Sequence, residues 1–245
     1  MMRTDLSRYD GKYVRVTDTD GNSFTGYADC CSAEYCFHEY GTEENGVLVE
    51  GYLIYASGIA SIEETEIIGT AELTTERLLL RRYHPEDADD LYEYFGKDPV
   101  MSQYSGWNPY ATPDMARETV ARFVERYDDP RFYGWVIECE CDLLGTIGAY
   151  DHKDDTIEVG MSVKRDCWGH GYAAEALKAV LEYLTEHEKI PCVTAWCAAD
   201  NIGSGKAMEK AGMKLVRTEK DGLAVGEKTY DKLIYEYREK GGKER

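Results

Sequence analysis

The sequence predicts two domains, a small all-β barrel followed by an α/β (α+β) domain. Short apolar and β-branched runs cut by turn residues fill the chain from Lys12 to about Ile62. After Thr75 the texture changes to strand-like runs interleaved with longer helical segments. Between them, GIASIEETEIIGTAELTTERLLL carries two Thr-Glu pairs and a glycine ahead of a new strand, which places the linker at Glu66 to Thr74. The expected domains are 1–68 and 69–245, and 245 residues suit two domains of roughly 100 to 200 each.

In the first domain KYVRV, SFTGYA, GVLVEGYLIY and SGIASI read as about five strands of a closed meander. Asp20-Gly21 supplies the first hairpin turn, because a tight turn needs residues that tolerate positive φ. In the second domain RLLLRR, FYGWVIEC, DLLGTIGAY, TIEVGMSV, CVTAWC and KTYDKLIYEY read as strands. Pro113 to Tyr127 is helical, with Thr112 as N-cap and Met115, Thr119, Val120, Phe123 and Val124 on one face. From Tyr172 to His187, Ala174, Leu177, Val180, Leu181 and Leu184 recur at steps of three and four, and Ile190-Pro191 ends that helix. The terminal REKGGKER is expected to fray.

Composition bounds the function. With 43% apolar and 31% charged residues the chain is globular rather than disordered or fibrous. No run approaches the roughly 18 to 20 apolar residues of a membrane span, and MMRTDLSRYD has no apolar signal core, so a cytoplasmic protein away from membranes is expected. Lys and Arg number 28 against 47 Asp and Glu, a net charge of −19 that repels nucleic-acid phosphates and favours a cationic partner such as an amine. Eight cysteines without a CxxC pair, and five scattered histidines, point to reduced thiols and to no metal site.

The segment Thr156 to Leu184, TIEVGMSVKRDCWGHGYAAEALKAVLEYL, is strand, glycine loop, helix. Gly169 and Gly171 lead straight into an amphipathic helix, whose unpaired N–H groups and dipole make an anion site. Neither GxGxxG nor GK[ST] is present, so the anion belongs to some other phosphate-bearing ligand.

At these residues the chain resembles the GCN5-related N-acetyltransferases (GNAT), in the branch of the RimJ/RimL-type ribosomal-protein N-terminal acetyltransferases. Four blocks carry the resemblance: TERLLLRRYHPEDADDLYEY, IEVGMSV, WGHGYAAEAL and DNIGSGKAMEKAGMKLV. It implies a mixed, splayed central sheet and acetyl-CoA as cofactor. The exposed backbone of Met161, Ser162 and Val163 would pair with the pantetheine arm. The diphosphate would sit on the N–H groups from Lys164 to Ala173, including Arg165, Gly169, His170, Gly171 and Tyr172. Asn201 matches the family's pantetheine contact, and Ser204 its hydroxyl near the cofactor sulfur. Asp166 departs from the family's Gln or Arg three residues before the first loop glycine, with Arg165 beside it.

The implied reaction is acyl transfer from a thioester to a primary amine, a protein N-terminus or a small amine, by direct attack in a ternary complex. It needs a proton acceptor for the ammonium and help for the leaving thiolate. Glu158 matches the family's carboxylate base and is equally a solvent-facing strand residue. Ser204 is the matching acid or a helix-cap residue, and Asn201 serves equally as that cap. Tyr104, Trp107 and Tyr110 in MSQYSGWNPY lie where the branch faces substrate, and are equally a packed loop.

DGKYVRVTDTDGNSFTGYADCC resembles the first half of an Sm-like (SH3-like) barrel. Up to Ile68, Arg3, Arg8, Lys12 and Arg15 stand against thirteen acidic residues, and Ser57-Gly58 occupies the place of the family's Arg-Gly. An interaction or homodimerisation barrel, or one that shapes the substrate entrance, is expected, not an RNA platform. The chain is therefore expected to be an acetyl-CoA-dependent N-acyltransferase. A non-catalytic acetyl-CoA sensor or scaffold is the alternative, and an RNA-associated adaptor a further one.

Overall fold

A computed structural model describes residues 5–49, 51–65, 69–105, 108–153 and 155–238. The chain divides into two compact units, Met1–Ile67 and Ile68–Arg245. Among the described residues no helix is long and apolar enough to cross a membrane, and no cluster of three His, Cys, Asp or Glu side chains could hold a metal ion.

In the first unit a 3-10 turn, Leu6–Tyr9, precedes strands β1 (Tyr13–Asp18), β2 (Ser23–Tyr27) and β3 (Asp29–Cys31). Helix α1 (Ala33–Tyr40) follows, then β4 (Gly46–Val49), β5 (Tyr52–Tyr55) and β6 (Ile59–Glu64). The β1–β2 turn is the expected one: Gly21 has φ of 89°, and Asp18 accepts from the N–H groups of Asp20 and Asn22. The strands form two antiparallel three-stranded sheets, β2-β1-β6 and β3-β4-β5. Val14, Val16, Ala28, Val47, Val49 and Ile54 fill one core from both sheets. The closed barrel is thus replaced, among the described residues, by two small sheets sharing a core without a strand ladder joining them. Helix α1 was not expected from the sequence.

The second unit holds β7 (Leu73–Thr74), β8 (Leu79–Arg81), α2 (Asp87–Leu91), α3 (Pro113–Glu125), β9 (Tyr133–Cys139), β10 (Asp142–Lys153) and β11 (Thr156–Val163). It continues with α4 (Tyr172–Glu182), β12 (Cys192–Ala198), α5 (Ile202–Lys210), β13 (Lys214–Val225) and β14 (Lys228–Arg238). One eight-stranded sheet runs β13-β14-β12-β11-β10-β9-β8-β7. Among the described residues β11 and β12 are the one parallel pair, because α4 forms the crossover between them. The sheet is therefore mixed.

Helices cover both faces. Val136 of β9 packs with Leu91, Phe95, Ala116 and Val120 beneath α2 and α3. Its neighbour Trp135 points the other way, meeting Tyr183 edge-on at 6.1 Å. Thr112 caps α3 through Met115 N–H as expected, but Met115 and Val124 are exposed, and Ala116, Thr119 and Val120 form the buried stripe. In α4 the buried residues include Leu177, Val180 and Leu181, and a π-helical turn carries the helix on through Leu184 to His187. Arg81 donates to both oxygens of Asp87 and to Glu138, tying β8 to α2 and β9.

Candidate active site

Strands β11 and β12 pair only at Thr156–Cys192, Ile157–Val193 and Glu158–Thr194. β11 stays paired with β10 as far as Val163, so beyond Glu158 its other edge faces a gap. The register says which backbone groups face it. Lys164 N–H donates to Leu144 O at 2.7 Å, and strand groups point alternately to either side. The backbone groups of Gly160 and Ser162 therefore point to β10, and those of Val159, Met161 and Val163 point into the gap. The Val163 carbonyl is taken by Trp168 Nε1 at 2.6 Å. The Val159 carbonyl, Met161 and the Val163 N–H thus face the gap, whereas the Ser162 backbone, expected there, is turned to β10.

Because β11 and β12 are parallel, α4 and α5 both begin at the sheet edge where the gap opens, the carboxyl end of a parallel pair. Gly169 and Gly171 have φ of 81° and 86°, left-handed values that side chains disfavour, and Gly171 is the residue capping α4. The first N–H groups of α4 have no intrahelical acceptor. Upstream the site narrows: the N–H groups of Lys164, Cys167 and Trp168 are spent on Leu144, Lys164 and Arg165 carbonyls. Of the span expected to meet an anion, Lys164, Cys167 and Trp168 thus have no N–H to spare, whereas no backbone acceptor is found for the N–H groups from Gly169 to Ala173 among the described residues. The Lys164 ammonium rests on the Tyr94 ring at 4.7 Å and Arg165 Nε meets Asp98 at 3.1 Å, so both cations are engaged.

Three residues not singled out in the sequence hold this loop. Thr75 and Arg77, just before β8, both hydrogen-bond Glu175 in the first turn of α4. Arg77 also donates to the His170 carbonyl at 3.1 Å and lies over the Tyr172 ring, on which His170 stacks. Burial alone would raise the Glu175 carboxyl, but the bonds from Thr75 and Arg77 hold it below its ordinary value. The charge pattern was visible as TTER and AAEAL, but their pairing needs the fold.

Glu158 belongs to the α2–α3 face of the sheet, across from Tyr150 on β10 and Thr194 on β12. Trp196 Nε1 donates to its Oε1 at 2.8 Å. The Tyr150 hydroxyl also bonds it; desolvation, then the charge of Glu158, raises that phenol above its ordinary value and keeps it a donor. Gly160 makes the arrangement possible, since a Cβ there would lie 2.6 Å from the Tyr150 oxygen. Glu158 lines an open cavity of about 440 Å³ with Thr194, Trp196, Arg217, Lys232 and Glu236.

At the start of α5, Asn201 Oδ1 accepts the Ser204 N–H at 3.2 Å, so Asn201 is the cap and Ser204 the capped residue. The aromatic trio separates. Tyr104 donates to the Asp200 carbonyl at 3.3 Å and meets Tyr230 of β14 edge-on, beside the start of α5. Tyr110 is a correction: it is 6% exposed and packed with Phe95 in the core under α2 and α3, where no substrate reaches it. Trp107 lies outside the described residues.

Comparison with known proteins agrees with this geometry. The family model of the acetyltransferase (GNAT) domain matches residues 77–214. An uncharacterized N-acetyltransferase of Bacillus subtilis, YnaD, is 29% identical over 167 residues, 66% of this chain and 94% of that protein. A GNAT-family acetyltransferase of Bacillus anthracis superposes with a TM-score of 0.61 at 25% identity, covering 68% of this chain and 98% of the other. RimL, a ribosomal L7/L12 α-N-protein acetyltransferase in complex with coenzyme A, shares the fold with a TM-score of 0.63 at 16% identity over 68% and 97% of the two chains. A gap between parallel strands, a glycine-capped helix at its edge and a match across most of the second unit make one conclusion: the chain belongs to the GNAT acetyltransferase family.

Proposed function

We propose that the protein transfers an acetyl group from acetyl-CoA to a primary amine, with Glu158 as proton acceptor. The gap that opens after Glu158 carries the reading, because it places free strand edge, helix N-terminus and carboxylate around one opening. The residues fit the cofactor: Met161 and the Val163 N–H offer a strand edge to an amide-bearing arm, and the N–H groups from Gly169 to Ala173 suit a diphosphate. The RimL neighbour was crystallised with coenzyme A.

Bound acetyl-CoA supplies a thioester whose C–S bond breaks as the amine nitrogen forms the new N–C bond. The chain's residues manage the protons. Glu158, held by Trp196 and Tyr150, takes the ammonium proton directly or through water, and the Ser204 hydroxyl at the head of α5 is the donor to the leaving sulfur. Asn201, its Oδ1 used in the cap, has its amide N–H₂ left for the pantetheine arm. Tyr104 walls the amine entrance. The N-terminal unit is read as an Sm-like interaction or dimerisation module.

Two variants test the reading by acetyl-CoA-induced thermal shift and CoA release. Saturation at about 100 Kd stabilises by roughly 2.7 kcal/mol. Gly171→Trp is expected to lose this shift. Glu158→Gln should keep it while turnover falls about 100-fold or more. Undiminished turnover of Glu158→Gln across pH would falsify the base assignment.

A further inference from the structure

We propose that the acceptor amine also carries an anionic group close to its nitrogen, held by Lys232 while Glu158 takes the ammonium end. The inference rests on the acetyl-transfer reading and adds the class of acceptor. Its basis is the balance of charge in the cavity beside Glu158. Arg217 and Glu236 are each answered along their own strand, by Glu219 at 2.8 Å and by Arg238 at 2.9 Å. Among the described residues Glu158 receives neutral donors alone, Trp196 and Tyr150. Lys232 makes no ion pair among the described residues, and its ammonium lies 4.6 Å from the centre of the Trp196 ring.

Trp196 thus carries on its N–H edge a carboxylate, and over its face an ammonium, neither of which makes an ion pair among the described residues, although Lys232 stands opposite Glu219 in the β13–β14 ladder. Both charges adjoin one indole. A simple alkylammonium covering that indole would strip water from Lys232 and return no anion to it, a cost that an anionic group on the ligand removes. A second cation would be repelled, so polyamines are disfavoured despite the net charge of −19. A small amino acid meets these demands, and so does a peptide N-terminus followed by an acidic residue.

The test uses the full chain and two matched pairs: β-alanine against propylamine, and the peptide amides Ala-Glu-Ala against Ala-Gln-Ala. Each is assayed for kcat/KM by CoA release and, separately, for binding to the CoA-loaded chain by calorimetry. The anionic member of at least one pair is expected to win by about tenfold, with the ratio falling to about one in Lys232→Met and Lys232→Gln and surviving in Lys232→Arg. The CoA-induced thermal shift reports that each variant is folded. Preference within the amino-acid pair assigns a small acceptor, and preference within the peptide pair alone assigns a protein N-terminus. Equal treatment of both pairs in both measurements overturns the proposal, as does a ratio that Lys232→Met and Lys232→Gln leave intact. Selective binding without CoA release sinks the acetyl-transfer reading instead, and CoA release without selectivity sinks only the anion.

Discussion

Arg77 and Glu175 stand 98 residues apart in sequence, yet Arg77 Nε donates to Glu175 Oε2 at 2.8 Å and its backbone N–H to Oε1 at 3.0 Å. The same guanidinium holds the His170 carbonyl, so one side chain joins the segment before β8 to the loop and to the helix behind it. The loop from Gly169 to Ala173 is thereby held in shape by the chain's own contacts, which suits the diphosphate site proposed for it. Arg77→Ala is expected to weaken acetyl-CoA binding about threefold to tenfold, measured by calorimetry, with kcat at saturating cofactor much less affected. Arg77→Lys, a point charge unable to bond both groups, should lie nearer to the alanine variant than to the native chain.

The same pair predicts a response to acid. Glu175 is held below its ordinary value of 4.5 in the folded chain, so folding releases protons from it. Its contribution to stability is complete above that value and declines as pH falls through the window beneath it, until the folded carboxyl is itself protonated. Thermal unfolding from pH 6 downward should therefore show a steeper loss for the native chain than for Glu175→Gln below about pH 4.5. Parallel curves for the two proteins would remove Glu175 from the acid response.

Gly160 and Tyr150 make a packing prediction with a catalytic readout. A methyl group at 160 would meet the Tyr150 oxygen at 2.6 Å, so Gly160→Ala must displace the hydroxyl from Glu158. Turnover is expected to drop about tenfold while the acetyl-CoA-induced thermal shift persists, because the diphosphate site proposed at Gly169 to Ala173 lies elsewhere. Tyr150→Phe with Gly160→Ala should be no worse than Gly160→Ala alone, since both remove the same bond.

Much of the second unit was legible in the sequence because its signals are local. Gly169 and Gly171 ahead of the Leu177–Val180–Leu181 stripe mark a glycine-capped helix wherever it is placed, and each of the six strand-like runs contains a strand. Helix α1 escaped because AEYCFHEY offers one buried side chain, Cys36, and no apolar period; its only signals were Ser32 as cap and Gly41 in the left-handed region. Tyr110 escaped for the opposite reason. A tyrosine serves a core or a binding wall equally well, and only the approach of α3 and the segment after α2 decided for the core. The Arg77–Glu175 ion pair and the Trp196–Glu158 hydrogen bond were out of reach altogether, because the first needs α4 beside the segment before β8 and the second needs β11 and β12 to pair.

Trp135 tests the core that supports the site. It is fully buried on β9, flanked by Tyr133 and Tyr183, and its Nε1 donates to the Ala71 carbonyl at 2.6 Å. Trp135→Ala empties the largest fully buried side chain and should cost about 3 to 5 kcal/mol in denaturant unfolding. Trp135→Phe keeps much of the aromatic contact but leaves the buried Ala71 carbonyl without its donor, a loss of about 1 to 3 kcal/mol. Two outcomes separate the contributions. A phenylalanine variant close to the native chain would make packing the whole of Trp135's role, whereas one close to alanine would assign the anchor to the hydrogen bond that fixes Ala71 against the sheet.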